Sequence, residues 1–294
     1  MTENNFELCD RIAKIKAING EYDLLQNAYI SFSGGKDSVA CSRLIDLALP
    51  GNKIPRVFIN TGIEYSAIVK FVQKRASQDE RIVIIPPTLN IRATLEEFGY
   101  PFKSKEHAQK MAVFQRSGFT KTVSDYLGNG SKTHFLCPKT LVGTFTADFP
   151  FKVSDKCCKK MKKEPAKKWS VANNRPIIIT GVRQAEGGLR QSMSGCTTFS
   201  SKNKSVLEKF HPLFPCTSEF VEWFIQEQSL ELCELYAPPY NFKRTGCKGC
   251  PFSLDLQEQL DKMEKLLPAE KKQCEIIWRK VYEEYRKLQY RLTH

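Results

Sequence analysis

Long apolar runs are missing from this sequence. Stretches such as PIIIT at 176–180 fall far short of the roughly 20 residues that a membrane-crossing helix requires, so neither a span nor a membrane partner is expected. The opening residues, MTENNFELCDR, are polar and acidic and carry no apolar core of a secretory signal, which leads to the expectation of a cytoplasmic chain. Internal repeats and low-complexity tracts are missing as well, which argues against solenoids and disordered polymers. Histidine is scarce: the four present form no ligand spacing, and His107 in KEHAQK reads as a surface residue.

Cysteine and lysine, by contrast, are plentiful. Eleven cysteines in a reducing compartment favour free thiols, metal ligands or redox chemistry over structural disulfides. The 294 residues, 41% apolar and 11% aromatic, are enough for one large domain with a full core. The 45 basic against 32 acidic residues leave a formal charge of +13, which suits a polyanionic partner or an anionic substrate.

Along the chain, AYISF (28–32) reads as a strand, a glycine turn follows, and a helix runs from about 37 to 49. RVFIN (56–60), RIVIIPP (81–87) and RPIIITGVR (175–183) read as further strands, with a helix over 64–76. Strands alternating with helices predict a doubly wound, mostly parallel α/β sheet, whose strand order the sequence leaves open. Periodicity weakens over 104–155, where the Asn129–Gly130 pair signals a turn, so a loop-rich insertion is expected. SEFVEWFIQEQ after 217 and the stretch from 253 onward read as helical, the last part as a surface helix. The expected division is an α/β domain over 1–240 with helices packed on it over 241–294.

The sharpest stretch is SFSGGKDS (31–38), placed between a strand and a helix start. Gly34 and Gly35 allow close backbone approach, Ser33 and Ser38 offer hydroxyls, and Lys36 offers a point charge, together suited to phosphate. The triphosphatase P-loop needs four residues between its glycine and Gly-Lys-Ser/Thr, and that spacing is absent. A second constellation joins Cys157–Cys158, among seven lysines and one glutamate over 156–169, to Cys247–Lys–Gly–Cys250. Neighbouring cysteines seldom bond to each other, because a relaxed disulfide wants Cα atoms farther apart than the ~3.8 Å of adjacent residues. Four thiolates suit zinc or a [4Fe–4S] cluster, and a lone CxxC suits redox chemistry as well.

SGGKDS after a strand resembles the pyrophosphate loop of the adenine nucleotide α-hydrolase (PP-loop) superfamily. VFINTGIEYSA (57–67) resembles the second motif of the phosphoadenylyl sulfate reductase family within it, with Asn60 where an acidic residue is usual and Thr61 and Gly62 retained. TGVRQAEGGLR (180–190) resembles the segment in which Gly181, Arg183 and Arg190 would serve the nucleotide, with Gly187 in place of a serine. The resemblance implies an adenine nucleotide held by Ser33 to Ser38, Asn60, Thr61, Gly62, Gly181, Arg183 and Arg190, with Lys36, Asp37 and Arg183 in catalysis. It also implies a [4Fe–4S] cluster on Cys157, Cys158, Cys247 and Cys250, with Zn²⁺ as the alternative, in the manner of adenylyl sulfate reductases and phosphorothioation-type relatives.

The reductases carry their nucleophile in a C-terminal Glu-Cys-Gly-Leu-His segment, whereas the sole cysteine here past Cys250 is Cys274, at a helical position. The leading expectation is therefore an ATP pyrophosphatase, using Mg²⁺ with ATP, that adenylylates an acceptor for sulfur insertion. A nucleic acid and a sulfur-donor protein such as a cysteine desulfurase are the expected partners. The alternatives are a sulfonucleotide reductase releasing sulfite and a non-catalytic nucleotide- and cluster-binding regulator. Cys9, Cys41, Cys233 and Cys274 are expected as small core residues, Cys216 as structural, and Cys137 and Cys196 as candidate reactive thiols.

Overall fold

The computed structural model describes residues 2–128, 136–186 and 193–293. The chain forms two compact units, the first made of Met1–Asn60, Ser66–Pro86 and Pro165–Arg244, the second of Thr61–Tyr65, Pro87–Glu164 and Thr245–His294. Among the described residues no helix is long and apolar enough to cross a membrane.

The first unit is built on a six-stranded sheet: β1 (Ala28–Ser31), β2 (Arg56–Ile59), β3 (Ile82–Ile85), β4 (Ile177–Ile179), β5 (Thr197–Phe199) and β6 (Leu207–Phe210). The order is β3-β2-β1-β4-β6-β5, all neighbours parallel except the edge pair β5 and β6. Runs such as AYI and III are apolar on both faces, as helix-covered parallel strands must be. Ile30, Ile177, Ile179 and Phe210 are buried with Leu44 and Ala48 of the helix Lys36–Ala48 and with Phe220 and Phe224 of the helix Ser218–Glu227. Ile15 and Ile18 of a helix over Glu3–Tyr22 join them.

The α/β expectation holds, with several elements added or redrawn. The sequence reading had no helix at Glu3–Tyr22, whose apolar positions are too sparse for a clear stripe; it is capped by Thr2, whose hydroxyl accepts from the Asn5 amide at 3.3 Å. It also had neither β5 nor β6. The β6 sequence, LEKF, buries only its two ends and so lacks strand alternation. The 104–155 stretch is not loop-rich: helices cover Lys105–Ser117, Lys121–Tyr126 and Lys139–Val142, while Asn129 and Gly130 lie outside the described residues. The terminal surface helix is two helices, Pro268–Ile277 and Arg279–Lys287, broken at a buried Trp278.

The second unit takes in both the 104–155 region and the C-terminal helices. Aromatic packing explains the grouping. Phe102 meets Phe149, Phe151 and Tyr285 at centroid distances of 5.3, 6.0 and 5.1 Å, and the Lys103 amide donates to Tyr285 Oη at 2.7 Å.

His107 is not on the surface. It is fully buried in this unit, with Nδ1 3.0 Å from Tyr126 Oη and Nε2 without a partner. Burial, then Lys103 and Arg291, lowers its pKa to about 3. In the first unit His211, bonded through Nδ1 to Thr180 Oγ1 at 2.7 Å, is lowered to about 4 by burial and then Lys209. An unfolded imidazole titrates near 6.5, so between that pH and 4 the unfolded chain binds the extra protons. Stability is therefore full above pH 6.5 and declines as pH falls, by on the order of 2 kcal/mol per histidine at pH 4.5. Urea titrations from pH 7 to 4.5 should show this slope, and His107→Asn or His211→Asn should flatten it.

Candidate nucleotide and cysteine sites

The loop after β1 is closed on itself. Ser38 Oγ donates to the Gly35 carbonyl at 2.8 Å and accepts from the Ser33 amide at 3.2 Å, with Ser33 Oγ 3.1 Å away. Gly35 caps the helix Lys36–Ala48 without a side-chain bond, and its carbonyl accepts from the amides of Ser38 and Val39 at 3.0 and 3.1 Å. The Lys36 amide donates to Tyr236 Oη at 3.2 Å, and Lys36 Nζ lies 3.7 Å from Glu222.

The predicted residues after β4 meet this loop. Arg183 is buried, its Nε donating to Asp37 Oδ1 at 2.8 Å and its NH1 to Ser218 Oγ at 3.2 Å. As placed, its charge faces Asp37 and ties the β4 loop to the phosphate loop. Gly181 is where the two loops touch: a Cβ there would stand 2.5 Å from the Asp37 carbonyl oxygen. Asn60 ends β2 with its amide on the Ile85 carbonyl at 2.9 Å. Gly187 and Arg190 lie outside the described residues.

Thr61 and Gly62 belong to the second unit. Both the amide and the hydroxyl of Thr61 donate to the buried Glu64 carboxylate, at 2.8 and 2.9 Å. Gly62 has φ +81°, the turn conformation that the Thr-Gly pair supplies. The sequence reading left Glu64 out, although its place three residues after Thr61 is a capping-type spacing.

Cys157, Cys158, Cys247 and Cys250 all lie in this second unit as free thiols. Cys157, Cys247 and Cys250 each feel the charge of at least one other, and Cys158 is hydrogen-bonded to Cys157. Cys158 is lowered to about 6 by a hydrogen bond from Cys157, with Lys105, Lys162 and Lys163 adding to it. Cys157 is raised by the same bond and by burial, Cys250 is pushed up to about 12 by burial, and Cys247 is raised by burial against the pull of Lys162. Lys162 is raised by Cys247 first and by Glu64, and it bonds the Cys247 thiol. The lysine-rich turn Lys159–Lys163 is π-helical, Glu164 donating to the carbonyl of Lys159. Among the described residues no group of three or more His, Cys, Asp or Glu is arranged to hold a metal ion. The donor set itself, four thiols with cations beside them, fits a soft metal centre.

The C-terminal helices, unassigned from sequence, cradle the CxxC turn. Trp278 Nε1 donates to the Lys248 carbonyl at 3.2 Å, Tyr282 to that of Gly249, and Tyr285 to that of Pro251 at 2.9 Å. The buried Lys248 ammonium pairs with Glu270. Gly249 has φ +58°, and a Cβ there would lie 2.8 Å from Cys274 Sγ. Cys274, Cys41, Cys216 and Cys233 are buried as expected, Cys233 just before a 3₁₀ turn rather than in a helix. Cys9 is exposed, on the outer face of Glu3–Tyr22. Of the candidate reactive thiols, Cys137 is buried beside Tyr126 and raised by burial, and Cys196 is partly exposed. A cavity of about 590 Å³ among Arg92, Glu96, Tyr100, Ile276, Lys280 and Arg286 contains none of the predicted site residues.

The phosphoadenosine phosphosulfate reductase domain matches residues 27–127 and 138–253, well over half the chain, and the chain belongs to that family. No curated protein matches it at a significant level. Among solved structures it is similar to a phosphoadenylyl-sulfate reductase from Candida auris, at 16% identity over 75% of this chain and 81% of that one, TM-score 0.41. An NH3-dependent NAD synthetase from Campylobacter jejuni is 13% identical over 98% of this chain and 96% of that one, TM-score 0.42. A U34-tRNA thiolase from Methanococcus maripaludis with its [4Fe-4S] cluster is 16% identical over 97% and 80%, TM-score 0.40.

Because Gly249 combines a left-handed φ with contact to Cys274, Gly249→Ala should destabilise the chain by about 2–4 kcal/mol, measured by urea unfolding. Gly246→Ala, with open space around it, should cost under about 1 kcal/mol.

Proposed function

We propose that this protein is an adenine-nucleotide enzyme of sulfur metabolism that cleaves ATP between its α- and β-phosphates. An acceptor oxygen attacks the α-phosphorus, pyrophosphate leaves with Mg²⁺, and the adenylylated acceptor is ready for sulfur insertion. The observation that carries the choice of ATP is the state of Cys274. It is fully buried against Gly249, its thiol pushed up to about 12 by burial, and so is poorly suited to attack a sulfonucleotide.

In this reading the amides and hydroxyls of Ser33 to Ser38, with Lys36, hold the phosphates, and Asp37 and Arg183 keep the loop and its charge in register. The resemblance also assigns Asn60, Thr61, Gly62, Gly181 and Arg190 to the nucleotide. Cys157, Cys158, Cys247 and Cys250 would hold a [4Fe–4S] cluster, with Zn²⁺ as the alternative, and such a cluster would supply a fixed local charge or one-electron chemistry when bound. The net charge of +13 suits a nucleic acid acceptor, with a cysteine desulfurase as sulfur donor. Membership of the reductase family supports a second reading, reduction of a sulfonucleotide with release of sulfite. A third, binding without turnover, would make the chain a regulator.

Anaerobically purified protein assayed against Mg²⁺-ATP and both sulfonucleotides separates these readings: pyrophosphate release supports the first, sulfite the second, and binding alone the third. Lys36→Ala should lower turnover at least tenfold while the unfolding midpoint holds, as loss of a charge-assisted phosphate contact of ~1.5–3 kcal/mol requires. Replacing any one of the four cysteines with serine should strip iron and sulfide and lower the melting temperature, whereas Cys9→Ser should do neither. About one zinc and no iron would mean the other metal.

A further inference from the structure

Glu64 joins two features that the sequence presents separately. Its buried carboxylate takes both donors of Thr61, and it lies 3.4 Å from Lys162 Nζ. Lys162 in turn bonds the Cys247 thiol and lies in the field of Cys158. A third tie runs along the backbone, the Lys248 amide inside the CxxC turn donating to the Ile63 carbonyl at 2.8 Å. Thr61, Gly62, Glu64, Lys162, Lys248 and the four cysteines all belong to the second unit. The Thr-Gly turn is thus built into the cysteine unit, although β2 delivers it from the sheet.

We propose that Glu64 is a positioning residue of the nucleotide site, holding the Thr61–Gly62 turn in its binding geometry and drawing its own orientation from Lys162 beside the cysteines. This rests on the assignment of Thr61 and Gly62 to the nucleotide. The physical reason is the number of bonds on one carboxylate. Without Glu64, the Thr61 amide and hydroxyl lose their shared acceptor inside a buried turn. Without Lys162, a carboxylate with only 5% of its side chain exposed loses its counter-charge and the contact that orients it. Lys162 therefore bears on nucleotide affinity through Glu64.

The test is ATP affinity by calorimetry on the anaerobically purified full chain, with melting temperature and iron content recorded for each variant. Glu64→Ala should weaken ATP binding about tenfold. Glu64→Gln, which keeps an oxygen for Thr61 but loses the charge, should weaken it about threefold and covers the case in which the alanine variant fails to fold. Lys162→Met should also weaken it about threefold, and the double variant Glu64→Ala/Lys162→Met should bind no worse than Glu64→Ala alone. Wild-type affinity in the folded Glu64 variants overturns the proposal, as does a double variant whose losses multiply, since Lys162 would then act on the nucleotide without Glu64. A wild-type chain that binds no adenine nucleotide overturns the nucleotide reading itself, and the proposal with it.

Discussion

The parallel pairing of β1 with β4 is the constraint that brings the SGGKDS loop against the loop after β4. From β1 the chain crosses outward to β2 and β3 on one side, then returns to place β4, β6 and β5 on the other. Strands 1 and 4, far apart in sequence, therefore lie side by side with Ala28 opposite Ile177 and Ile30 opposite Ile179. Their loops leave the same end of the sheet at the point where the strand order reverses, the place where open parallel sheets take their ligands. Contact there is so close that Gly181 has no room for a Cβ against Asp37, and Arg183 returns to pair with the same aspartate. Neither loop has this arrangement on its own account; the pairing of the strands imposes it.

The second unit answers a different problem: four thiols placed together repel one another once ionised. Cys158 is lowered first by the hydrogen bond from Cys157 and then by Lys105, Lys162 and Lys163, while Cys157 is raised by the same bond and by burial. Fixing the CxxC turn is the task of Trp278, Tyr282, Tyr285 and Glu270, each bonded to a group between 248 and 251. Aromatic side chains with one polar atom suit this work, since they fill the unit's core and still satisfy buried carbonyls.

Much of the site was legible because its signals are local. A strand, two glycines and Lys-Asp-Ser in eight residues announce an anion loop wherever they fall, and Cys-Cys with CxxC announces a thiol cluster. The same local reading failed where tertiary context sets the outcome. His107 sits among charged neighbours in sequence and was read as exposed, yet Phe102, Tyr126 and Phe145 enclose it. Cys9 was read as core on helical spacing and is exposed, because the helix buries Ile15 and Ile18 instead. The C-terminal charges were read as a surface face, although Trp278, Val281, Tyr282 and Tyr285 between them are buried.

The sequence by itself determined the α/β class and the strand-to-helix turn at SGGKDS, because each depends on the chemistry of residues close together in the chain. Only the tertiary structure decided the strand order, the meeting of Gly181 with Asp37, the assignment of Thr61 and Gly62 to the cysteine unit through Glu64, and the role of the last helices. Those rest on contacts between residues far apart in the chain, Asp37 and Arg183 by 146 positions and Lys103 and Tyr285 by 182, and no local periodicity encodes which distant surfaces will bury each other.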